Sequence, residues 1–194
     1  MRPLFWTSAG LLLAVLLVGG ACTEEPTPDA TADRSISEDV TEAPTAAAES
    51  PDARRMAPDF ERTTLAGDTM RRADWEGRVV VLNFWATWCA PCRVEIPRLI
   101  TLYEAFDATD VLVVGVSIDE EGRAVVEPYA EEMEIPYPLI VDADHTMAEA
   151  YGGHYAVPTT FIIDQDGAMR QRFMRVVAHD ELMAAIEPLL NGDA

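Results

Sequence analysis

The sequence predicts an α/β fold: a mixed central sheet with helices on both faces and an N-terminal β-hairpin extension. Three observations carry this. Arg78–Trp85 (R-V-V-V-L-N-F-W) and Val111–Ile118 are continuous apolar runs rich in β-branched residues, the pattern of strands buried on both faces. Between them, Ile96, Leu99, Ile100, Tyr103 and Phe106 recur at helical spacing. Downstream, Thr160–Ile163 and Met169–Val177 flank the turn Asp164–Gly167, and a last helix follows. Strands that alternate with helices and end in a hairpin pack as one layered sheet.

Two segments precede that domain. Residues 1–22 read as an export signal: Arg2 is followed by an apolar run from Leu11 to Val18, then Gly19, Gly20, Ala21 and Cys22. Small residues directly before a cysteine resemble the lipobox of bacterial lipoproteins, although Gly19 stands where that pattern prefers Leu. Cleavage there would leave Cys22 to carry lipid. The alternative is an uncleaved signal anchor, for which Met1–Ala21 is barely long enough. Residues 23–56 are expected to be a flexible acidic tether. They are rich in Ala, Thr, Pro, Ser, Asp and Glu and cannot bury enough apolar surface to offset ordering. A coil of that length spans about 30 Å.

The domain is expected over 57–194. Phe60–Thr64 and Thr69–Arg72 form the hairpin, with turn chemistry at Gly67 and Asp68. A helix is expected from Cys89 to Phe106 and another from Glu120 to Glu134, kinked or broken at Pro128. Leu139–Val141 is a short strand, and Asp180 is expected to cap the final helix to Leu190.

The net charge of −20 excludes nucleic acid as a partner, because no basic stripe offsets it. An anionic membrane surface would also repel the domain, so attachment requires an anchor. All 14 basic residues are Arg. An acidic, Lys-free surface fits life in high salt, where screening weakens self-repulsion. A GC-rich genome accounts for the missing Lys equally well.

The 3 cysteines are Cys22, Cys89 and Cys92. If Cys22 is lipidated, the other two are left to pair with each other. They sit in N-F-W-A-T-W-C-A-P-C, where a buried strand delivers the chain to a helix start. Free peptide N–H groups and the helix dipole favour negative charge at that end. A C-x-x-C thiol placed there ionises below its ordinary pKa of about 8.5. Cys89 is therefore the expected nucleophile, at the exposed end, and Cys92 the sheltered resolving thiol. Pro91 suits an early helical position, where its missing N–H has no helical partner. Trp88 is expected to cover Cys89 as a contact surface, with Ala90 and Pro91 beside it, while Trp85 is half-buried support. Two other chemistries compete for the pair. Structural zinc lacks a second ligand pair, and an inert disulfide closing so short a loop constrains little.

These residues resemble the TlpA/ResA branch of thioredoxin-like proteins, from about Ala57 to Leu190, including the opening A-P-D-F. The resemblance implies a thioredoxin-like fold, an outer-face location and dithiol–disulfide exchange with no cofactor or metal beyond the Cys89–Cys92 disulfide. Ala156-Val157-Pro158-Thr159-Thr160 matches a second family mark. There the resemblance implies a cis Pro158 against the cysteines and a Val157 backbone available to a substrate strand. It also implies that Glu95 lines the site and tunes the thiols, with Glu120 as a second acid. Thioredoxin has an Asp where this chain has Asn83. Copper chaperones of the superfamily use wider cysteine spacing, so a Cys/Cys/His154 metal site is not expected.

The expected activity is reduction of disulfides in partner proteins, with electrons from a membrane-embedded thiol carrier. The resemblance implies apocytochrome c or copper-site cysteines as substrates. The alternatives are a thiol oxidase of exported proteins, a peroxidase and a non-enzymatic binding module. Against a peroxidase, Cys89 is preceded by W-A-T-W and not by a P-x-x-x-T-x-x-C context.

Overall fold

A computed structural model describes residues 55–153 and 156–192. The expected leader, Cys22 and nearly all of the expected tether lie outside the described residues, as does His154.

The chain opens with a hairpin of β1 (Glu61–Thr63) and β2 (Thr69–Arg71), followed by a single 3-10 turn over Arg72–Trp75. Gly67 supplies the left-handed conformation that the hairpin turn needs, with φ of 96°. Trp75 packs its ring 4.9 Å from Phe60 and is buried. Then come β3 (Val79–Trp85), α1 (Ala90–Ala105), β4 (Val111–Ser117), α2 (Arg123–Glu132), β5 (Leu139–Val141) and α3 (Thr146–Ala150). The chain finishes with β6 (Thr159–Ile163), β7 (Met169–Phe173) and α4 (His179–Leu190).

Five strands form one sheet in the order β5-β4-β3-β6-β7. β3, β4 and β5 run parallel, while β6 and β7 run antiparallel to their neighbours. Every residue of β3 and β4 is buried, as their unbroken apolar runs require. Alternate residues of β3 face opposite layers. Asn83 and Trp85 meet residues of α1 and α2, at Glu95 and Tyr129. Phe84 faces the other layer, where its ring stands 5.5 Å from that of Tyr151, which follows α3. The hairpin guards the outer edge of β5. Leu65 donates its N–H to Leu139 O at 2.7 Å, and Thr64 bridges to Ile140. At the other edge, Met56 bridges to Ala168 beside β7.

Several boundaries differ from expectation. α2 starts at Arg123, not Glu120, because Gly122 turns the chain at φ 68° and returns its N–H to Asp119 O. Pro128 stays inside α2. The carbonyl it leaves free belongs to Ala124, which is exposed to water. α4 is capped at Ala178, whose N–H goes to the Glu181 carboxylate at 3.0 Å, and Asp180 lies within its first turn. β7 ends at Phe173 rather than Val177. The short α3 has no counterpart among the expected elements. Its first turn is organised by buried Asp142, which accepts the N–H groups of Met147 and Ala148.

Candidate redox site

β3 ends at Trp85 against the end of β4, where Ile118 N–H donates to Trp85 O at 3.0 Å. The chain then turns sharply, with Cys89 N–H donating to Ala86 O at 3.2 Å. Cys89 is the N-cap of α1, and Ala90 and Pro91 open the helix. Helix starts leave backbone donors free, and a side-chain acceptor at the cap satisfies one of them. Here that acceptor is Cys89 Sγ, which receives Cys92 N–H at 3.1 Å. The two cysteines are joined by a disulfide, with Cα atoms 5.3 Å apart. A sulfur held this way is where a thiolate would be favoured after reduction.

Exposure around the pair departs from expectation. Cys89 is only 4% exposed and Cys92 1%, so neither sulfur stands open. The bond turns Cys89 Sγ back onto the first turn of α1. Trp88 projects into solvent at 63% exposure. Trp85 is fully buried, because β3 is covered on both faces, and its ring lies tilted 5.4 Å from that of Tyr129.

Glu95 follows Cys92 by one helical turn, and both are buried on the inner side of α1. Its Oε2 accepts Asn83 Nδ2 at 2.9 Å, and its Oε1 accepts Val177 N–H at 3.0 Å. Thr160 Oγ1 adds a longer contact at 3.4 Å and itself accepts Asn83 Nδ2 at 2.9 Å. Burial raises the Glu95 pKa above the usual carboxylate range, against the opposing pull of these bonds and of Arg98. The chain therefore keeps a buried acid beside its dithiol, but supplies it from the helix. Asn83, on the strand, serves as its hydrogen-bond donor.

Val157–Pro158 is a cis peptide, as the resemblance implied. Thr159 pairs with Phe84, so Pro158 stands just before β6 beside the end of β3, at the end of the sheet where the chain runs on to Cys89. Pro158 is buried and Val157 half-buried.

Glu120 is exposed and lines an open cleft of about 520 Å³ with Trp88, Ile118, Glu121 and His145. Its neighbour Asp119 is 1% exposed and turns inward. Asp119 accepts the Thr87 hydroxyl at 2.6 Å, Thr87 N–H at 3.0 Å and the Ser117 hydroxyl at 2.7 Å. Its one signal in the sequence is its place as the first of three consecutive acids, Asp119–Glu121, directly after the apolar strand run. Among the described residues, no group of three His, Cys, Asp or Glu side chains comes together to hold a metal. A separate cleft of about 710 Å³, lined by Leu65, Trp75 and Tyr137 among others, lies on the hairpin side and does not include the cysteines.

A disulfide at the first turn of a helix, with a cis proline across the sheet end and a buried carboxyl one turn on, defines a thioredoxin-like redox domain. Comparison with known proteins narrows this. The chain belongs to the AhpC/TSA family, whose profile matches residues 53–172. It is 36% identical over 96 residues to the thiol-disulfide oxidoreductase ResA of Geobacillus thermodenitrificans, a match that covers 50% of this chain and 55% of that protein. The chain thus spans about half the length of the curated relatives it matches. Among solved structures it resembles a thioredoxin-family thiol:disulfide interchange protein from Chlorobium tepidum. That match has a TM-score of 0.64 and 26% identity, over 71% of this chain and 97% of that one. A secreted thiol-disulfide isomerase from Corynebacterium glutamicum matches at TM-score 0.63 and 28% identity, over 71% and 87%.

Proposed function

We propose that this protein is an extracytoplasmic thiol–disulfide oxidoreductase that reduces disulfides in partner proteins through Cys89 and Cys92. The observation that carries the reading is the N-cap geometry: Cys89 Sγ receives Cys92 N–H at the start of α1. The Cys89 thiolate attacks a partner sulfur, forming a mixed disulfide and expelling one partner thiolate, which takes a proton. Cys92 then loses its proton and attacks Cys89 Sγ. The internal disulfide forms and the second partner sulfur leaves as a thiolate that takes up the Cys92 proton, so the partner gains two electrons and two protons, one proton from solvent in the first step and one from Cys92 in the second. Glu95 is the acceptor for the Cys92 proton, a role supported by its burial and raised pKa. Exposed Trp88, with Ala90, Pro91 and the Val157 backbone, is the contact surface for the partner chain. Val94, exposed one turn into α1, extends it.

The remaining parts of the reading rest on sequence and resemblance. Residues 1–22 export the chain and tether it through a lipid on Cys22 or an uncleaved anchor. Residues 23–56 form the spacer, its last two residues already bonded to the sheet at Ala168 and Met169, and 57–194 the redox domain. A membrane-embedded thiol carrier resupplies electrons. Apocytochrome c or copper-site cysteines are the substrates that the ResA-like resemblance favours.

Replacing Cys92 with Ala tests the reaction. The variant should accumulate mixed disulfides through Cys89 in cells, and these should disappear when Cys89 is also replaced. A C92A chain that traps no partner would refute exchange in favour of a binding module.

A further inference from the structure

The corner between β3 and α1 is tied to the neighbouring strand end by a buried carboxylate. Asp119 stands just beyond β4, and its oxygens accept two donors from a single corner residue, the hydroxyl and the N–H of Thr87. The Ser117 hydroxyl binds the same carboxylate, and Asp119 N–H returns to Ser117 Oγ at 3.2 Å. A buried carboxylate is costly unless its hydrogen bonds offset the lost hydration. Here those bonds converge two residues before Cys89.

Three links then run in series. Asp119 fixes Thr87, Cys89 N–H closes the turn onto Ala86 O, and Cys89 Sγ receives Cys92 N–H. We propose that Asp119 is a positioning residue for the dithiol. By holding Thr87 it sets where the Cys89 sulfur stands over the first turn of α1. It thereby sets how well the free N–H groups stabilise the Cys89 thiolate after reduction. This rests on the exchange reaction proposed above, but not on any particular partner.

The charge of Asp119 acts in the opposite sense to its hydrogen bonds, because a nearby anion disfavours a thiolate. Asn and Ala both remove the charge, and only Asn keeps an acceptor for Thr87. Their comparison therefore isolates the positioning effect.

The experiment measures iodoacetamide alkylation of Cys89 against pH in the reduced full-length chain, followed by peptide mass spectrometry. At pH 7, D119A should react about fivefold more slowly than D119N, the worth of about one well-formed hydrogen bond to the thiolate. The two should converge at high pH, where the thiol is ionised in both. T87A should shift the profile in the same direction by less. S117A, which breaks a bond to the same carboxylate without touching the corner, should shift it by less than about twofold, within the range of a single weakened hydrogen bond. Equal rates for D119A and D119N, or an S117A shift as large as that of T87A, would reduce Asp119 to a structural role and overturn the proposal. If D119A fails to fold, the T87A and S117A pair decides. Alkylation needs no protein substrate. Failure of the exchange reading, seen as a wild-type chain that reduces no protein disulfide, is therefore scored separately.

Discussion

Replacing Glu95 with Gln tests the acid beneath the disulfide. In the folded chain the Glu95 pKa is raised, chiefly by burial. Between the unfolded and folded values, the native state holds a proton that the unfolded chain has released. Stability must therefore fall as pH rises through that window, by at most about 1.4 kcal/mol per pH unit for one group. Below the window both states are protonated, and above it the penalty is constant. The amide of the Glu95→Gln variant cannot ionise, so its contribution should be flat. It also presents N–H donors to a pocket where Asn83 and Val177 both donate, which leaves one bond unmade. That costs about 1–3 kcal/mol in a buried site. The variant should thus be less stable than wild type in acid, with the gap narrowing as pH rises. Urea melts of the oxidised chain from about pH 4 to 9 read this directly, since they bracket the carboxylate window. Subtracting the two curves removes other titrations, including Asp142, also raised by burial, and Glu181, lowered to about 2 by Arg175. A gap that widens with pH would mean that the hydrogen bonds outweigh burial and hold the Glu95 pKa below its ordinary value.

Two further outcomes follow from the same geometry. Gly115→Ala should destabilise the chain by about 1–3 kcal/mol. Its Cβ would stand 2.5 Å from Leu139 Cδ2, 3.1 Å from Trp85 Nε1 and 3.2 Å from Tyr137 Cε2, three side chains that are themselves buried. A urea midpoint equal to wild type would contradict that packing. The reduction potential of Cys89–Cys92, titrated against glutathione or dithiothreitol, should fall near the thioredoxin value of about −270 mV. A value near −120 mV, roughly that of a strong oxidant, would make the protein an oxidant of exported thiols and reverse the proposed direction.

The parts of this fold that are legible in the sequence are those set by local pattern. β3 and β4 announce themselves because both faces are buried, leaving no polar alternation to blur the run. Leu139–Val141 and the terminal hairpin lie between clear turn residues. The sequence reads as a helix from Glu120, yet Gly122 takes a positive φ and delays α2 to Arg123. The cysteine motif is legible because its chemistry is contained in four residues at one helix end. Asp119 is not, because its bond to Thr87 spans 32 residues and depends on the register that pairs Trp85 with Ser117. The same holds for Trp85 and Trp88. Their exposures differ completely, and only the position of the corner decides which is which, since Trp85 ends the doubly covered β3 and Trp88 lies beyond it.

The acid beneath the disulfide shows how far the site extends beyond its motif. Glu95 sits on α1, but what holds it comes from three other places: Asn83 on β3, Thr160 on β6 and the Val177 N–H between β7 and α4. Val177 is free to donate because the chain leaves β7 at Phe173 instead of continuing the ladder. Its carbonyl is braced in turn by Arg98 Nη1 at 2.7 Å, a side chain one turn beyond Glu95 on the same helix. The β7–α4 joint is thus bound to α1 through both its N–H and its C=O. Glu95 cannot shift without disturbing that joint, nor the joint without moving a donor off the carboxyl. A buried acid with a raised pKa responds strongly to the loss of one such bond, because hydration cannot replace it. The proton affinity beside Cys92 is therefore a property of the closed sheet, which explains why a short C-x-x-C motif is embedded in so complete a fold.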